Sequence, residues 1–510
     1  MPTYTGTSGT DYITGSSSGD TIYGLGGNDT LDGGAGADLI RGGDGNDTII
    51  SGPLFENSYD RLYGENGDDT VTAGAGDLVD GGSGTDRLNG NYQNATAALT
   101  VDFSAIWTGG SITVAGGAIT NMERLGTIYG SAYNDTFTTG SLAGSSTSLF
   151  GWSGNDVLTG GAGRDWLEGF SSSGNGDTEA DLLYGLDGDD LLGGGVNDTL
   201  DGGSGIDSVR LVFTAATSGV TGDFTAVLGG SAAMIGGITL TSIEHIQTVL
   251  GSDYDDVFDV SADAYGGIPW GSTAIEGNGG NDILIGSATA NVLNGGTGDD
   301  FMSGGAGGDL YSVDSLGDVI VEGAGGGIDS VNSGISYTLG AELEQLMLTG
   351  TAALNGTGNA LDNSVSGNPG ANFLEGLAGA DILDGYDGAD ILIGGAGRDQ
   401  LTGGAGADTF RFASGDFAGL TTTTADLIYD FSQAEGDRID LSAIDAAAGG
   451  IDDAFSFLGT GAFTGVAGEL RYEYSGTRTM VYGDLDGNGV ADFAVALTGN
   501  ITLVSSDFHL

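Results

Sequence analysis

Aspartate recurs every nine residues along much of this chain. The first positions are Asp11, Asp20, Asp29, Asp38 and Asp47, and an aliphatic residue stands two places after each. The element Gly-Gly-x-Gly-x-Asp ends at Asp38, Asp47, Asp86, Asp165, Asp207, Asp300, Asp309, Asp399 and Asp408. Looser copies end at Asp69, Asp156, Asp190, Asp282, Asp381 and Asp390. Because isolated turns have no reason to keep a nine-residue register, an internal repeat decides the fold.

Each residue type in the repeat has a physical role. The glycines allow positive φ and turn backbone carbonyls toward one point, to which the Asp adds a carboxylate oxygen. The three residues after the Asp suffice only for a brief strand, and the middle one points inward. Two nonapeptides then form one coil of 18 residues, which would place Asp29 one coil below Asp47 and Asp38 at the opposite edge. We therefore expect an all-β solenoid of stacked strands.

The acidic charge of the chain requires a cation. Lys and Arg total 11 residues against 71 Asp and Glu, so the formal net charge is −60. Carboxylates stacked about 4.8 Å apart repel by roughly 1 kcal/mol per pair in water, and several-fold more near a protein surface. Summed over all pairs in the columns, this repulsion is comparable with the whole stability of a domain, about 5–15 kcal/mol. Oxygen ligands in a glycine-rich turn that contains neither Cys nor His indicate Ca²⁺.

The same composition excludes several classes of protein. A chain this acidic is not expected to bind nucleic acid or an anionic membrane surface. No stretch of the sequence approaches 18 consecutive apolar residues, so no membrane-spanning helix is expected. The absence of Cys excludes disulfides. Residues 1–20 contain neither a basic residue nor an apolar core, so no signal peptide of the usual kind is expected there.

The nonapeptide Gly-Gly-x-Gly-x-Asp-x-(apolar)-x, as at 33–41 and 42–50, resembles that of the repeats-in-toxin (RTX) family. The resemblance implies a parallel β-roll in which the Asp side chains and glycine carbonyls of the turns bind Ca²⁺. The implied side-chain ligands are Asp20, Asp29, Asp38, Asp47, Asp69, Asp86, Asp156, Asp165, Asp190, Asp207, Asp282, Asp300, Asp309, Asp381, Asp390, Asp399 and Asp408. The implied carbonyl ligands are Gly34, Gly36, Gly43, Gly45, Gly161, Gly163, Gly296, Gly298, Gly305, Gly307, Gly395, Gly397, Gly404 and Gly406. Asn291, Asn363 and Asn372 take the Asp position in other copies, and a neutral amide holds Ca²⁺ less strongly.

The repeat register breaks after Leu88, after Val209 and after Tyr311. The segments after the first two breaks are copies at an offset of 121 residues, which maps Glu123 onto Glu244. Their alternating Thr, Val, Ile and Phe predict β-structure. The segment after the third break resembles a linker module found between RTX blocks, and we expect it to be β-rich too.

The composition changes again from about Phe412. The segments 426–431, 436–445, 468–472 and 482–489 resemble, in sequence and order, the C-terminal β-domain of the serralysin group of secreted metalloproteases. The chain closes with Asp-Phe-His-Leu. In that group such an ending belongs to an uncleaved signal read by the type I secretion machinery, although His509 departs from the usual all-apolar tail. The resemblance implies an extracellular or cell-surface location.

Three motifs that could indicate catalysis or another metal site are set aside. Only His245 and His509 exist, so the zinc motif His-Glu-x-x-His is impossible and proteolysis is not carried over. The segment 484–489 imitates an EF-hand loop, but Val495 stands where a bidentate Glu is needed, so a β-hairpin turn is favoured. Residues 15–19 fit Gly-x-Ser-x-Gly but lie inside the repeat register.

These patterns predict a division of the chain into eight segments. RTX β-roll blocks are expected at 1–89, 130–210, 251–312 and 358–411, β-rich inserts at 90–129, 211–250 and 313–357, and the serralysin-like C-terminal domain at 412–510.

The sequence favours a secreted calcium-binding protein without catalytic activity. Its expected role is structural, as a component of a surface layer, a matrix or an adhesive, with self-assembly or cell-surface polysaccharide as possible partners. Two alternatives stay open: a secreted enzyme acting on polysaccharide through carboxylates alone, and a toxin or bacteriocin.

Overall fold

The computed structural model describes residues 1–53, 58–170, 176–265, 272–446 and 454–510. The chain divides into two compact units, Met1–Gly279 and Gly280–Leu510. Nearly all of the described secondary structure is strand. The exceptions are the 3₁₀ segments Ser104–Thr108 and Ser505–Asp507 and one helical turn at Thr225–Leu228. Within the described residues, no helix is long and apolar enough to span a membrane.

The first unit consists of parallel ladders whose strands alternate along the chain. One ladder contains Thr3–Thr5, Thr21–Gly26, Leu39–Asp44, Arg61–Asn66, Leu78–Ser83 and Gly117–Thr120, with Ile112–Val114 antiparallel at its edge. A second contains Tyr12–Thr14, Thr30–Asp32, Thr48–Ile50, Thr70–Gly74, Arg87–Asn91, Arg124–Tyr129, Ser146–Trp152, Arg164–Phe170, Leu191–Gly194, Ser208–Val212, His245–Leu250 and Thr273–Glu276. A third contains Thr100–Asp102, Thr136–Thr138, Val157–Gly161, Leu182–Asp187, Thr199–Ser204 and Ile238–Thr241, with Ala233–Ile235 antiparallel. In addition, Thr221–Asp223 pairs in parallel with Val257–Asp259.

The nonapeptide explains this alternation. Thr30 pairs with Thr48, 18 residues later, whereas the intervening strand Leu39–Asp44 pairs in the opposite ladder. The aliphatic residue of each copy is fully buried between the ladders, as Leu31 and Ile49 are. Its two neighbours face outward because side chains alternate along a strand. The predicted two-nonapeptide coil and the all-β, parallel β-roll are confirmed.

The two copied inserts share one architecture at the 121-residue offset. In each, a short strand and a helical turn precede an antiparallel hairpin, formed by 112–120 in the first and 233–241 in the second. The second strand of the hairpin adds in parallel to the ladder that precedes it. The chain then re-enters the roll, where Arg124–Tyr129 pairs with Arg87–Asn91.

The second unit repeats the two-ladder arrangement. One ladder contains Asn291–Asn294, Leu310–Val313, Ser330–Ser333, Gln345–Leu348, Ser364–Ser366, Ile382–Asp384, Gln400–Thr402, Asp426–Ile428 and Phe493–Thr498, and the facing ladders contain Ile283–Ile285, Phe301–Ser303 and Val319–Ile320, then Tyr337–Thr338, Asn355–Thr357, Phe373–Ala378, Ile391–Ala396, Thr409–Ala413, Arg438–Ala443 and Phe508–His509. The segment 313–357 thus continues the coiling although its nonapeptide spacing is lost.

The C-terminal part ends the roll with antiparallel strands. Glu469–Ser475 pairs with Arg478–Asp484, which pairs with Phe493–Thr498, and Ser456–Phe457 lies beside the first of these. The segment 484–489 therefore lies in a β-hairpin connection rather than between two helices. Phe508 is buried and pairs with Ile439. The division into eight segments stays a prediction.

Candidate calcium sites in the turns

Most aspartates of the repeat accept a backbone hydrogen bond from the coil before them. The backbone N–H of Asp29 donates to Oδ1 of Asp47 at 2.8 Å, and that of Asp381 donates to Oδ1 of Asp399 at 2.9 Å. Asp38 accepts the N–H of Asp20 in the same way. Repetition of this bond stacks the aspartates in columns along the turns. One carboxylate oxygen of each residue is thereby used for the fold.

The other oxygen of most of these carboxylates has no donor. Among the described residues, Oδ2 is buried without a hydrogen-bond partner in Asp29, Asp47, Asp69, Asp86, Asp156, Asp190, Asp207, Asp300, Asp309, Asp381, Asp390, Asp399 and Asp408. A buried, unpaired carboxylate oxygen is costly unless a cation or proton satisfies it. Asp38 and Asp282 occupy equivalent positions in their columns.

The first glycine of each repeat leaves room beside this oxygen. A Cβ built on Gly42 would lie 2.2 Å from Asp47 Oδ2 and 2.8 Å from the carbonyl oxygen of Gly64 in the next coil. The same arrangement recurs at Gly376 and Gly385. A carboxylate oxygen and a carbonyl oxygen therefore converge where any side chain would clash. Hard oxygen donors of this kind fit Ca²⁺.

The turn backbone adds further carbonyls. Gly34, Gly36, Gly43, Gly45, Gly296, Gly298, Gly305, Gly307, Gly395, Gly397, Gly404 and Gly406 all have left-handed φ, between 77° and 149°. A Cβ on Gly43 would lie 2.3 Å from the carbonyl oxygen of Leu25, one coil earlier. In looser copies the second position is left-handed without glycine, as in Leu25 (φ 78°), Trp152 (φ 84°) and Tyr386 (φ 69°). We name turns with this backbone and an unpaired Oδ2 open turns.

In a second kind of turn, the backbone of the turn itself donates to one side-chain oxygen of the Asp or Asn. In these capped turns, the N–H four residues before the Asp or Asn donates to its side-chain oxygen, as Ser16 does to Asp20 at 2.5 Å and Ser131 to Asp135 at 2.5 Å. Asn291, Asn363 and Asn372 all stand in capped turns. A capped oxygen is not free to bind a cation without breaking that bond.

Asp165 differs most from the expectation for its sequence. Its turn is a perfect sequence copy, yet Oδ2 accepts hydrogen bonds from Ser141 Oγ and Gly161 N–H, both at 2.8 Å, and Oδ1 accepts two from Thr147. Neither Gly161 nor Gly163 has a left-handed φ. The turn is therefore capped. Asp165, Gly161 and Gly163, together with Asp20, are not brought into the open-turn geometry.

The copied inserts imitate the next coil of the roll. Oε2 of Glu123 accepts the N–H of Asp86 at 3.0 Å, and Oε2 of Glu244 accepts that of Asp207 at 3.0 Å. A glutamate thus takes the place of the next Asp in the column. The carbonyl of Asn121 stands over Gly81, as the next coil's glycine carbonyl does elsewhere. Asp86 and Asp207 consequently keep open turns beside an insert.

Some aspartates of the columns do not follow the nine-residue spacing. Asp156 N–H donates to Asp181 Oδ1 at 2.7 Å, and Asp399 N–H donates to Asp426 Oδ1 at 3.0 Å. Oδ2 of Asp181 and Oδ2 of Asp426 are buried and lack a hydrogen-bond partner within the described chain. Asp181 and Asp426 follow the preceding aspartates of their columns by 25 and 27 residues, so a nine-residue period does not predict them. The signal that finds them is an Asp two residues before a buried aliphatic, here Leu183 and Ile428.

Burial raises the pKa of these carboxyl groups in the calcium-free fold. The pKa of Asp47 rises to about 6, that of Asp69 to about 7 and that of Asp190 to about 8, mainly through loss of solvation. The N–H of the preceding coil opposes this rise, whereas neighbouring carboxylates add to it. The calcium-free columns therefore resist ionisation near neutral pH.

The remaining candidate motifs lie outside the aspartate columns. His245 is fully buried, and its Nδ1 lies 2.8 Å from Asp263 Oδ2. In the hairpin connection, one oxygen of each of Asp484, Asp486 and Asp492 lies within 4.8 Å of the others. Asp484 accepts hydrogen bonds from the N–H groups of Gly487 and Gly489. The carboxylate thereby shapes its own turn.

Columns of carboxylates in glycine turns, carried on a parallel β-roll, define a calcium-binding repeat protein. The family model described as RTX calcium-binding nonapeptide repeat (4 copies) matches residues 5–40, 24–53, 57–77, 148–171, 174–196, 276–311 and 357–392. The model described as Peptidase M10 serralysin C terminal matches residues 385–510. This chain therefore carries RTX repeats and a serralysin-type C-terminal domain, and neither match is to a protease domain.

Both resemblances seen in the sequence are thus confirmed. RTX repeats bind several Ca²⁺ ions, so calcium is the cofactor, as predicted. The two matches together indicate a calcium-binding protein that is exported by type I secretion to the cell exterior.

Two solved structures resemble parts of the chain. The solution structure of the AlgE6R3 subunit of the Azotobacter vinelandii mannuronan C5-epimerase is 35% identical over 29% of this chain and 77% of its own, with a TM-score of 0.22. That of the AlgE6R2 subunit of the same enzyme is 33% identical over 31% of this chain and 91% of its own, also with a TM-score of 0.22. No curated protein matches the sequence.

Proposed function

We propose that this protein is an extracellular structural component that folds when it meets calcium outside the cell. The observation that carries the proposal is the set of buried Oδ2 atoms in the open turns, which lack a donor among the described residues. With little calcium, the fold must either take up protons on these buried carboxylates or bring their charges together, and both oppose folding at neutral pH. With calcium, binding free energy becomes folding free energy.

The magnitudes support a calcium-driven transition. An extracellular calcium site with a Kd of about 10⁻⁴ M, in about 1 mM calcium, contributes about 1.4 kcal/mol of stability. About ten such sites would contribute roughly 14 kcal/mol, which is comparable with the whole stability of an ordinary domain. We propose the open turns as these sites and leave the capped turns out.

The outer faces of the roll suit a structural role. Thr30, Thr48 and Thr70 stand in register in one row of the first unit, with their side chains on the outer face. A row of this kind repeats one hydroxyl at the strand spacing of about 4.8 Å. Regular polar rows favour contact with another regular surface, such as a second copy of this chain or a polysaccharide.

Circular dichroism tests the calcium-driven fold. The purified chain in excess chelator should lose most of its β-signal and regain it at millimolar calcium. Magnesium at the same concentration is the control and should restore little, because Mg²⁺ demands a tighter octahedral shell. Near-full ellipticity in chelator would contradict the proposal.

Electron microscopy tests the structural role. Purified protein with calcium should form ordered arrays, sheets or fibres, and the same sample in chelator should not. Dispersed particles that turn over a polysaccharide would instead favour the enzyme alternative. Mutation of an insert carboxylate, Glu123→Gln, would then show whether that turnover depends on the insert.

A further inference from the structure

The third break of the repeat places an extra carboxylate beside a column. After Tyr311 the chain leaves the nonapeptide register and returns with Glu322 next to Asp309 and Asp329. One oxygen of each of these three carboxylates lies within 4.8 Å of the others. Glu322 belongs to no copy of the repeat, so the nonapeptide pattern does not assign it.

Two of the three side chains are buried and aim an unused oxygen into the cluster. Asp309 and Asp329 are each 1% exposed, and their Oδ2 atoms have no hydrogen-bond partner among the described residues. Their other oxygens are already used, because Asp309 Oδ1 accepts the N–H of Asn291 at 2.7 Å and Asp329 Oδ1 accepts that of Asp309 at 2.8 Å. Each aspartate therefore offers one oxygen to a ligand.

The position of Glu322 is fixed by a tyrosine. The hydroxyl of Tyr311 donates to Glu322 Oε1 and accepts the N–H of Gly304 at 2.6 Å. Tyr311 is itself fully buried. The glutamate is thus held toward two other carboxylates, and none of the three forms an ion pair with an Arg in the described part of the chain. Burial and the two aspartates raise the pKa of Glu322 to about 7.

We infer that Asp309, Glu322 and Asp329 bind one Ca²⁺ ion that fastens the non-repeat segment 313–328 to the roll. Three ionised carboxylates supply more than enough negative charge for one divalent ion, and an all-oxygen donor set suits calcium. The inference rests on calcium binding by the repeats and adds a ligand from outside them. The ion replaces the missing nonapeptide turn as the link between the coils on either side of the break.

Hydrogen exchange of the full-length protein across a calcium titration tests this site. In the wild type, peptides covering 314–330 should gain protection as calcium rises. Glu322→Gln, which keeps the shape and removes the charge, should raise the calcium concentration needed for that protection at least tenfold. The turns at 394–408 should respond as in the wild type. Glu342→Gln, on the same insert but outside the cluster, is the matched control and should change neither.

Native mass spectrometry gives a second readout. Glu322→Gln should hold one calcium ion fewer than the wild type at intermediate calcium. Equal protection of 314–330 in Glu322→Gln and wild type, with equal ion number, would overturn the inference. Loss of calcium response at 394–408 in the wild type would overturn calcium-driven folding instead, so the two failures are distinguishable.

Discussion

In an open turn the two oxygens of one aspartate have separate surroundings. Oδ1 of Asp47 accepts the N–H of Asp29, whereas Oδ2 faces glycine and carbonyl oxygens without a donor in the described structure. The hydrogen bond orients the carboxylate before any ion arrives. Calcium is therefore expected to bind a side chain that has already lost most of its rotational freedom.

Gly42→Ala should weaken calcium-dependent stability. The new Cβ would lie 2.2 Å from Asp47 Oδ2, so the carboxylate must move, and overpacking of this kind costs about 1–3 kcal/mol. Urea unfolding at 1 mM calcium measures the effect. Gly26→Ala is the control, because its Cβ would meet only ordinary contacts at 3.7 Å and beyond. Equal destabilisation by both substitutions would refute the steric account.

Asp47→Asn and Asp20→Asn should differ in their calcium dependence. The first removes a charge from an open turn and should lower stability at 1 mM calcium by about 1–3 kcal/mol. The second changes a capped turn, where Ser16 already donates to Oδ2 and Pro2, one coil earlier, has no N–H to offer Oδ1. Asp20→Asn should therefore leave calcium binding unchanged. Calorimetric titration compares them, and a matching loss in Asp20→Asn would contradict the division of turns.

At the scale of elements, the copied inserts are accommodated because each presents the roll with a substitute coil. Glu123 and Glu244 each accept a hydrogen bond from a backbone N–H group that would otherwise lack an acceptor. The hairpins before them extend an existing ladder. An insertion of about 40 residues is therefore tolerated without ending the column of hydrogen bonds.

Glu123→Ala should destabilise the calcium-loaded protein by about 1–3 kcal/mol, since the Asp86 N–H loses its acceptor. Glu244→Ala should have a similar effect at the equivalent position. Glu123→Gln keeps an acceptor oxygen and should retain most of the stability. Thermal unfolding in saturating calcium measures all three. A full loss in Glu123→Gln would show that the charge, rather than the hydrogen bond, is what matters.

The sequence predicted the regular elements but not the side-chain contacts that close individual turns. The aliphatic residue after each Asp fixed the coil, because Leu31 and Ile49 must be buried together. Nothing in the turn of Asp165 distinguishes it from that of Asp399, yet Ser141 and Thr147 from a neighbouring coil cap only the former. Such contacts depend on which coil lies next, and a nine-residue pattern does not contain that information.

At the scale of the whole molecule, the raised pKa values make the calcium-free fold sensitive to pH. An unfolded Asp has a pKa of about 3.9, whereas Asp47, Asp69 and Asp156 rise to about 6, 7 and 8 in the fold. The folded state binds more protons between these values, so its stability falls as pH rises from about 4 to about 8.

In chelator, the β-signal should therefore increase as pH is lowered from 8 to 5. With calcium the trend should reverse, because protons compete with the ion for the same oxygens. Circular dichroism in both conditions checks the two signs. A calcium-free chain that is equally unfolded at both pH values would contradict the burial of these carboxylates in the fold.

The net charge predicted a cation but gave no information about its distribution. A charge of −60 does not distinguish Asp408, in an open turn, from Asp484, whose oxygens shape a hairpin connection. Asp181 and Asp426 joined the columns only once the strands were aligned in space. Composition thus establishes how much countercharge is needed, and the ladders establish where it is placed.

The pairing of Phe508 with Ile439 has a consequence for the direction of transport. Residues 508–509 lie in the segment that resembles a type I export signal, and in the folded protein they form a strand whose Phe508 side chain is buried. The transporter and the finished fold therefore need the same residues in different states. Once the protein folds with calcium outside the cell, the export segment is part of a strand and Phe508 is buried. We therefore expect the folded protein to be unable to re-enter the transporter, which makes export irreversible.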